Sequence, residues 1–595
     1  MTSESRLERL TNELFDDILQ LIATSQDLAS LCLVSRNIYH RTVPKLYYSW
    51  SYHGLKHSNA SLKYFLKTII WRPDLAANVK ILDLREWGDC PRLEDHVGDP
   101  WAVDDTNDGI HNGQDDEERN WEAGSGQGEV EGSGTGANEE EDEVDEDFEP
   151  SDSDEDESDS EEEASQENSV DLDGHPLGPL KLDTSLDIEE ILRREAKGLG
   201  FINHGILYDD QTAMNEDNEE ILIPLLLTYL PNIQTLYMVA PEEYWGGPQP
   251  IMDLLKDTAK VDEFKVLQKL ENVYLCSALH IGIKSHREYE MEFQFLLPFF
   301  AIPSLRSMHT LTAHTFDDEY GNFESLDLGP LKGTSNVTFL AWDEADITWM
   351  DAVKAIAIPR ALQGFRWSQE FRCFSVGSCY GPFQHLIGRA LGAHKDTLRS
   401  LDLDIRHRYC NGQGHPGNPY GTLEGLRRVY PNAKDRRMPQ DGILIGSLKE
   451  FSQLRTLSID ATSLCGHQKW SPAPIQMIDA LPPNLETLNL RVSAHKLTKD
   501  QPSHEFENLL WKAHVFDMIE RAKYQLPFLQ KLCILITDIN FTMEQDASLT
   551  TTLTDDIMER CRKVGIWFDV CAVELMTPVP YFQAQNEVRN PGRDF

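Results

Sequence analysis

Apolar residues recur at every fourth position near the start of the chain, at Leu10, Leu14, Ile18 and Ile22. That spacing lines one face of a first helix. Leu28, Leu31, Val34 and Ile38 form a second apolar stripe. Thr11 and Ser25 stand where helix N-caps belong, and Asp27 falls in a first turn, where its charge suits the helix dipole. Pro44 predicts the stop of the last helical turn. A segment of about 40 residues buries too little surface to be stable by itself, so these stripes must pack on each other, on a partner or on the rest of the chain. A further helix is predicted over SLKYFLKTIIW, with Leu62, Phe65, Leu66 and Ile69 on one side.

The pattern then changes to apolar-x-x-apolar-x-apolar. It occurs as VKILDL at 79, IQTLYM at 233, LENVYL at 270, LRSMHT at 305 and VTFLAW at 337. It returns as LQGFRW at 362, LRSLDL at 398, LRTLSI at 454, LETLNL at 485 and LQKLCI at 529. From residue 233 the successive intervals are 37, 35, 32, 25, 36, 56, 31 and 44 residues. The last two apolar positions of each motif lie two apart, which on a strand sends both to one face. Helical runs ending in a Pro signal precede several motifs: NEEILIPLLLTYLPN, EMEFQFLLPFFAIPS, PIQMIDALPPN and ENLLWKAHVFDMIERAKYQLPF. GIWFDV (565–570), after a helical pattern ending at Val564, reads as a closing strand. Residues from Asn586 read as a loose tail.

Two family resemblances rest on these residues. Leu10, Glu13-Leu14, Ile18-Leu19, Asp27-Leu28, Leu31 and Val34-Ser35-Arg36, followed by Pro44-x-Leu46-Tyr47, resemble the F-box of fungal-type members. Thr11 replaces the usual Pro, and Ile38 fills a slot that is often Trp or Phe. The resemblance covers less than a tenth of the chain. The repeated motif resembles a degenerate leucine-rich-repeat array, with Val, Met, Thr, Phe and Trp entering Leu slots. Such strands pair into one parallel sheet backed by helices, and the array is stable only as a stack. The expected fold is therefore α/β: a three-helix F-box over 1–52, a first repeat unit over 53–100, an acidic insertion over 101–178 and an irregular solenoid over 179–595.

Charge is concentrated in the insertion. The formal net charge is −46, and residues 104–163 carry −27 of it, with 28 Asp and Glu against Arg119 alone. This segment has too little apolar content to offset ordering entropy and is expected to be disordered. Ser151, Ser153, Ser158 and Ser160, set among acids, suit an acid-directed kinase, and the tract suits either a solubilising spacer or an arm for a basic nuclear protein such as a histone. The rest of the chain is mildly acidic, which argues against a generic DNA- or RNA-binding surface. The ten cysteines are scattered without a C-x-x-C pair, as expected of thiols in a reducing compartment. MTSESRLERL does not read as a signal peptide, and ILIPLLLTYL is too short to span a bilayer. A cytoplasmic or nuclear location without membrane insertion is expected.

No catalytic, cofactor or metal signature stands out. His53 and His57 lack a third ligand; His407, Cys410 and His415 read as a surface loop; Cys373 and Cys379 read as structural. The two resemblances together imply a non-enzymatic substrate-recognition subunit of an SCF-type cullin-RING ubiquitin ligase. In that role the F-box docks on a Skp-type adaptor of the cullin complex, and the repeats capture a protein substrate. The docking residues implied are Leu10, Leu14, Ile18, Leu28, Leu31, Val34 and Ile38, shared between docking and the hairpin's own core. Substrate capture falls to strand residues flanking the buried positions: Asp83, Arg85, Tyr237, Tyr274, Arg366, Asp402, Asp404, Ser458, Asp460, Asn489 and Arg491. Asp402, Asp404 and Asp460 would form an acidic patch for a basic substrate segment if their strands are neighbours. The alternatives are an acidic leucine-rich-repeat module for basic nuclear proteins and an F-box protein that binds the adaptor without entering a ligase.

Overall fold

A computed structural model describes residues 7, 9–22, 24–52, 60–85, 188–198, 222–240, 254, 266–276, 291–315, 328–343, 345, 347, 349–368, 384–404, 444–465, 476–493, 502–538 and 547–574. The readings of 101–178, His53, His57, His407, Cys410, His415, Cys373, Cys379 and the tail lie outside these residues. Among the described residues no helix is long and apolar enough to cross a membrane.

Every repeated motif forms a strand. β1 is Ser49–Ser51, β2 Ile81–Leu84, β3 Thr235–Val239, β4 Asn272–Cys276, β5 Met291–Glu292, β6 Ser307–Leu311 and β7 Ala313–His314. β8 is Phe339–Asp343, β9 Gly364–Ser368, β10 Ser400–Asp404, β11 Thr456–Asp460, β12 Thr487–Ser493, β13 Lys531–Asp538 and β14 Trp567–Glu574. All but β5 and β7 join one 12-stranded sheet in chain order, and its pairs are parallel. β5 and β7 pair separately; strands of two residues carry too little periodicity to be read from sequence.

The motif stays in register along the whole stack. Ile81 pairs with Thr235, Thr235 with Asn272, Asn272 with Ser307, and the same slot continues to Lys531 and Trp567. From β1 to β12 of the large sheet, the carbonyl just before a strand accepts two amides from the next unit. Lys80 O takes Gln234 N and Thr235 N at 2.8 and 3.0 Å, and Gln363 O takes Arg399 N and Ser400 N at 2.6 and 3.0 Å. The three apolar positions are buried in unit after unit: Leu398, Leu401 and Leu403; Leu454, Leu457 and Ile459; Leu485, Leu488 and Leu490. The irregular slots are buried as well. Thr310 turns its hydroxyl to Ala341 O at 3.4 Å, and Trp342 packs edge-on against Phe293, Phe365 and Trp367.

Helices of eight or more residues flank the strands: α1 Asn12–Leu21, α2 Ser25–Cys32, α3 Arg36–Leu46, α4 Ala60–Trp71 and α5 Ile188–Gly198. They continue with α6 Leu222–Tyr229, α7 Trp349–Ile356, α8 Gln384–Leu391, α9 Pro502–Gln525 and α10 Ala547–Val564. α4 buries Leu62, Phe65, Leu66 and Ile69, the stripe expected of it. Of the four expected helical runs, one is a 3-10 turn over Phe293–Leu296 that continues into an α-helical turn over Leu297–Phe300, and one shrinks to a single turn at Met477–Ala480. α10 ends at Gly565, whose φ of +81° is the left-handed cap conformation, and Ile566 N–H closes onto Cys561 O at 2.9 Å.

One large core lies between the sheet and the helices, and α1–α3 close a separate small one. The helix trio corrects two sequence expectations, the cap of α2 and the stop at Pro44, and decides which stripe of α1 is core. Phe15 and Leu19, not Leu14 and Ile18, are the buried stripe of α1. Thr24, not Ser25, caps α2: its hydroxyl oxygen accepts Asp27 N–H at 3.1 Å, while its O–H donates to Asp27 Oδ2 at 2.7 Å. Pro44 lies inside the last turn of α3, which runs on to Leu46 before Tyr47 N–H closes onto Val43 O at 3.0 Å. Arg41 ties α3 to α1, donating to Thr11 O at 3.0 Å with its guanidinium 4.0 Å above the Phe15 ring.

Candidate functional site

Two surfaces present chemistry. The first is the outer face of the helix trio. Leu28 and Ile38 are buried in its core, and Leu10 and Leu31 are half-buried against it. Leu14, Ile18 and Val34 lie outside, 53%, 36% and 60% exposed. Leu21 and Leu33 join them at 84% and 88%. α1 thus carries two apolar stripes of equal spacing, Phe15–Leu19–Ile22 turned inward and Leu14–Ile18–Leu21 turned outward. Sequence reasoning missed Leu21 and Leu33; the spare apolar residue at the helix end was the available signal. These apolar side chains lie outside a small core that is already closed without them.

The second is the sheet face opposite the main core. Because side chains alternate along a strand, the residue between the last two apolar positions of each motif points to it. Strand register sets these residues side by side: Asp83, Tyr237, Tyr274, His309, Ala341, Arg366, Asp402, Ser458, Asn489, Cys533 and Asp569. All the strand residues expected to face a substrate lie in this row or the parallel one two residues on, which includes Arg85, Asp343, Asp404, Asp460, Arg491 and Cys571. His309, Asp343, Cys533, Asp569 and Cys571 were missed, although they occupy the same motif slots.

The face has three chemically distinct stretches. At its start Arg85 forks onto Asp83, with Nε–Oδ1 2.8 Å and Nη2–Oδ2 2.5 Å, and lies 4.8 Å over the Tyr237 ring. Burial would lower the Arg85 pKa, but Asp83 holds it above its ordinary value. The rings of Tyr237, Tyr274, His309 and Phe339 then stack in series, with centroids 4.6, 4.6 and 4.9 Å apart. Burial raises the pKa of both tyrosines. The His309 pKa is pushed down to about 4, chiefly by burial and then by the Arg366 cation. Ser307 Oγ lies 2.9 Å from His309 Nε2.

The middle stretch is ionic. Arg366 Nε lies 2.8 Å from Asp343 Oδ1 and 4.0 Å from Asp402 Oδ2. Arg491 reaches back across β11, placing Nη2 2.6 Å from Asp402 Oδ1 and Nε 3.6 Å from Asp404 Oδ2, and it donates to Leu403 O at 3.0 Å. Burial opposes its charge, but Asp402, Asp404 and then Asp460 hold its pKa above the ordinary value. The expected acidic patch is therefore a mixed-sign ladder. Asp402, Asp404 and Asp460 are indeed neighbours, yet Arg491 lies among them, so they do not by themselves favour a basic substrate. Such a ladder suits a polar ligand that can exchange ion pairs with it, and its rigid strands fix the direction of each group.

The last stretch, on β13 and β14, carries Cys533, Asp569 and Cys571, three ligand-type side chains whose ligand atoms lie within 4.8 Å of one another. No protein-family model matches the chain, and no curated protein matches it.

Proposed function

We propose that this chain is the substrate-recognition subunit of an SCF-type cullin-RING ubiquitin ligase. On this reading α1–α3 are an F-box that docks on a Skp-type adaptor, and the stacked strand-and-helix units are a leucine-rich-repeat solenoid that holds a protein substrate. The chain contributes no reacting group. It acts by tethering, which raises the effective concentration of substrate lysines near the conjugating enzyme.

The observation that carries this reading is the apolar face left outside the helix trio's own closed core. Leu14, Ile18 and Leu21 on α1, and Leu33 and Val34 in the turn between α2 and α3, stay exposed although Phe15, Leu19, Leu28 and Ile38 already satisfy the interior. Covering each such side chain is worth on the order of 1.5–3 kcal/mol, and a few central anchors dominate interfaces of this kind. The second surface supports the receptor half of the reading. The half-buried Tyr237 and the exposed Arg366 offer aromatic and arginine side chains of the kind that carry binding energy at protein interfaces, with Tyr274 stacked on the one and Asp402, itself held by Arg491, beside the other.

The test is co-purification of the full chain with a Skp-type adaptor and a cullin, comparing wild type with Leu14→Asp/Leu33→Asp. Both positions are exposed, so the variant is expected to keep its circular dichroism and melting temperature while losing both partners. Adaptor capture without cullin would replace the ligase role with a non-ligase one. Undiminished capture by the folded variant, or no capture by wild type, would sink the assignment.

A further inference from the structure

Cys533 is buried on β13, on the sheet face opposite the main core, and Asp569 and Cys571 stand beside it on β14. Register makes Asp569 the direct partner of Cys533 and Leu535 the partner of Cys571, so the two thiols meet on the diagonal across the strand pair. Their sulfurs lie 3.8 Å apart, and Cys571 Sγ is 3.9 Å from Asp569 Oδ2. Asp569 Oδ1 accepts the Val570 N–H at 2.9 Å, which turns Oδ2 toward the sulfurs. Lys531 shares this face, its ammonium 4.6 Å over the Trp567 ring.

These distances match a coordination sphere. Zinc–thiolate bonds of about 2.3 Å at a tetrahedral angle put two sulfurs about 3.8 Å apart, and a zinc–carboxylate bond of about 2.0–2.2 Å puts the oxygen about 3.6 Å from each sulfur. Two thiolates and a carboxylate are a borderline-soft donor set, which selects zinc-like ions over magnesium or calcium. The hydrogen bond from Val570 to the far carboxylate oxygen is the outer contact that orients such a ligand. Placement on paired strands rather than loops keeps the donors in position without the ion. From this geometry we propose that Cys533, Asp569 and Cys571 bind a divalent cation of the zinc class, with the fourth tetrahedral place open to water or to a side chain of a bound protein. The site lies at the far end of the same face as the aromatic and ionic stretches. A bound protein could there add the fourth ligand, and the ion would tie that protein to the last two strands.

The experiment titrates the full chain, reduced with a phosphine, with Zn2+ alone and with Cd2+ alone, following uptake by calorimetry and the cadmium–thiolate absorption in the near ultraviolet. Other cysteines are present, so the quantity read is the difference from Cys533→Ser, Cys571→Ser and Asp569→Asn. Wild type is expected to take one equivalent more than either serine variant, and Asp569→Asn, which replaces a charged oxygen donor by a neutral one, to bind that equivalent more weakly than wild type. Because Cys533 is buried and its serine variant is at risk of misfolding, X-ray absorption at the zinc edge of the wild-type complex gives an independent reading, expected to show two sulfur ligands. Equal uptake by wild type and the folded serine variants would overturn the proposal. A zinc shell of nitrogen and oxygen only would do the same.

Discussion

His309 is stacked between Tyr274 and Phe339, and its burial, together with the Arg366 cation nearby, disfavours a charged imidazole. Its pKa is pushed from the ordinary 6.5 down to about 4 in the folded chain. Between those values the unfolded chain binds a proton at this ring that the folded chain refuses. Stability therefore falls as pH drops through 6.5, and the loss is complete below about 4. A shift of this size corresponds to about 3 kcal/mol. His309→Phe keeps a flat ring between Tyr274 and Phe339 and removes the titration. Urea midpoints at pH 7 and pH 4.5 should differ less in the variant than in wild type. An identical acid loss would show that this ring is not held neutral. Burial also lowers the pKa values of His314 and His394, so part of the acid sensitivity should survive.

At the scale of elements, the strands were legible because burial and the local pattern agree. Leu398, Leu401 and Leu403 fill their slots in a way that needs no knowledge of the neighbouring unit. The substrate-facing slots followed from the same alternation, and His309 and Cys533 were missed only because the slot was not read across every motif. The helices resisted for a different reason. In α1 two apolar stripes are equally periodic, and only the packing of Phe15 under Arg41 decides which is core. The close approach of α8 to the loop before β11 was likewise invisible locally. Gly388 lies in α8 where a Cβ would stand 1.8 Å from the Ile445 carbonyl oxygen. Ile445 cannot simply retreat, because it is buried and its own N–H is bonded to Ser463 O at 3.0 Å. Although alanine favours helix over glycine, Gly388→Ala should destabilise the fold by about 1–3 kcal/mol through overpacking. A melting temperature equal to or above wild type would disprove the close approach.

Across the whole molecule the sheet runs without interruption past the longest break in its motifs. β2 and β3 are direct neighbours, pairing Ile81 with Thr235 and Leu84 with Met238, although the acidic tract separates them in sequence. The described contacts over this junction come from residues before 86 and after 187. Asn232 donates to Ala77 O at 2.8 Å, Gln234 N–H to Lys80 O at 2.8 Å, and the Tyr229 hydroxyl lies 2.5 Å from Glu195 Oε2 on α5. In a stack stabilised by nearest-neighbour contacts, a connection as poor in apolar residues as the acidic tract is expected to contribute mainly its closure entropy. Replacing 101–178 with a few glycines and serines shortens the connection between β2 and α5 by about two doublings. At about 0.6 kcal/mol per doubling, that should stabilise the fold by about 1 kcal/mol. It also removes the 27 net negative charges of 104–163, which lowers self-repulsion in the same direction. Denaturant unfolding of the excised chain should shift to a slightly higher midpoint with its cooperativity intact. A lower midpoint, or a transition split in two, would mean that the tract braces the β2–β3 junction and is part of the fold.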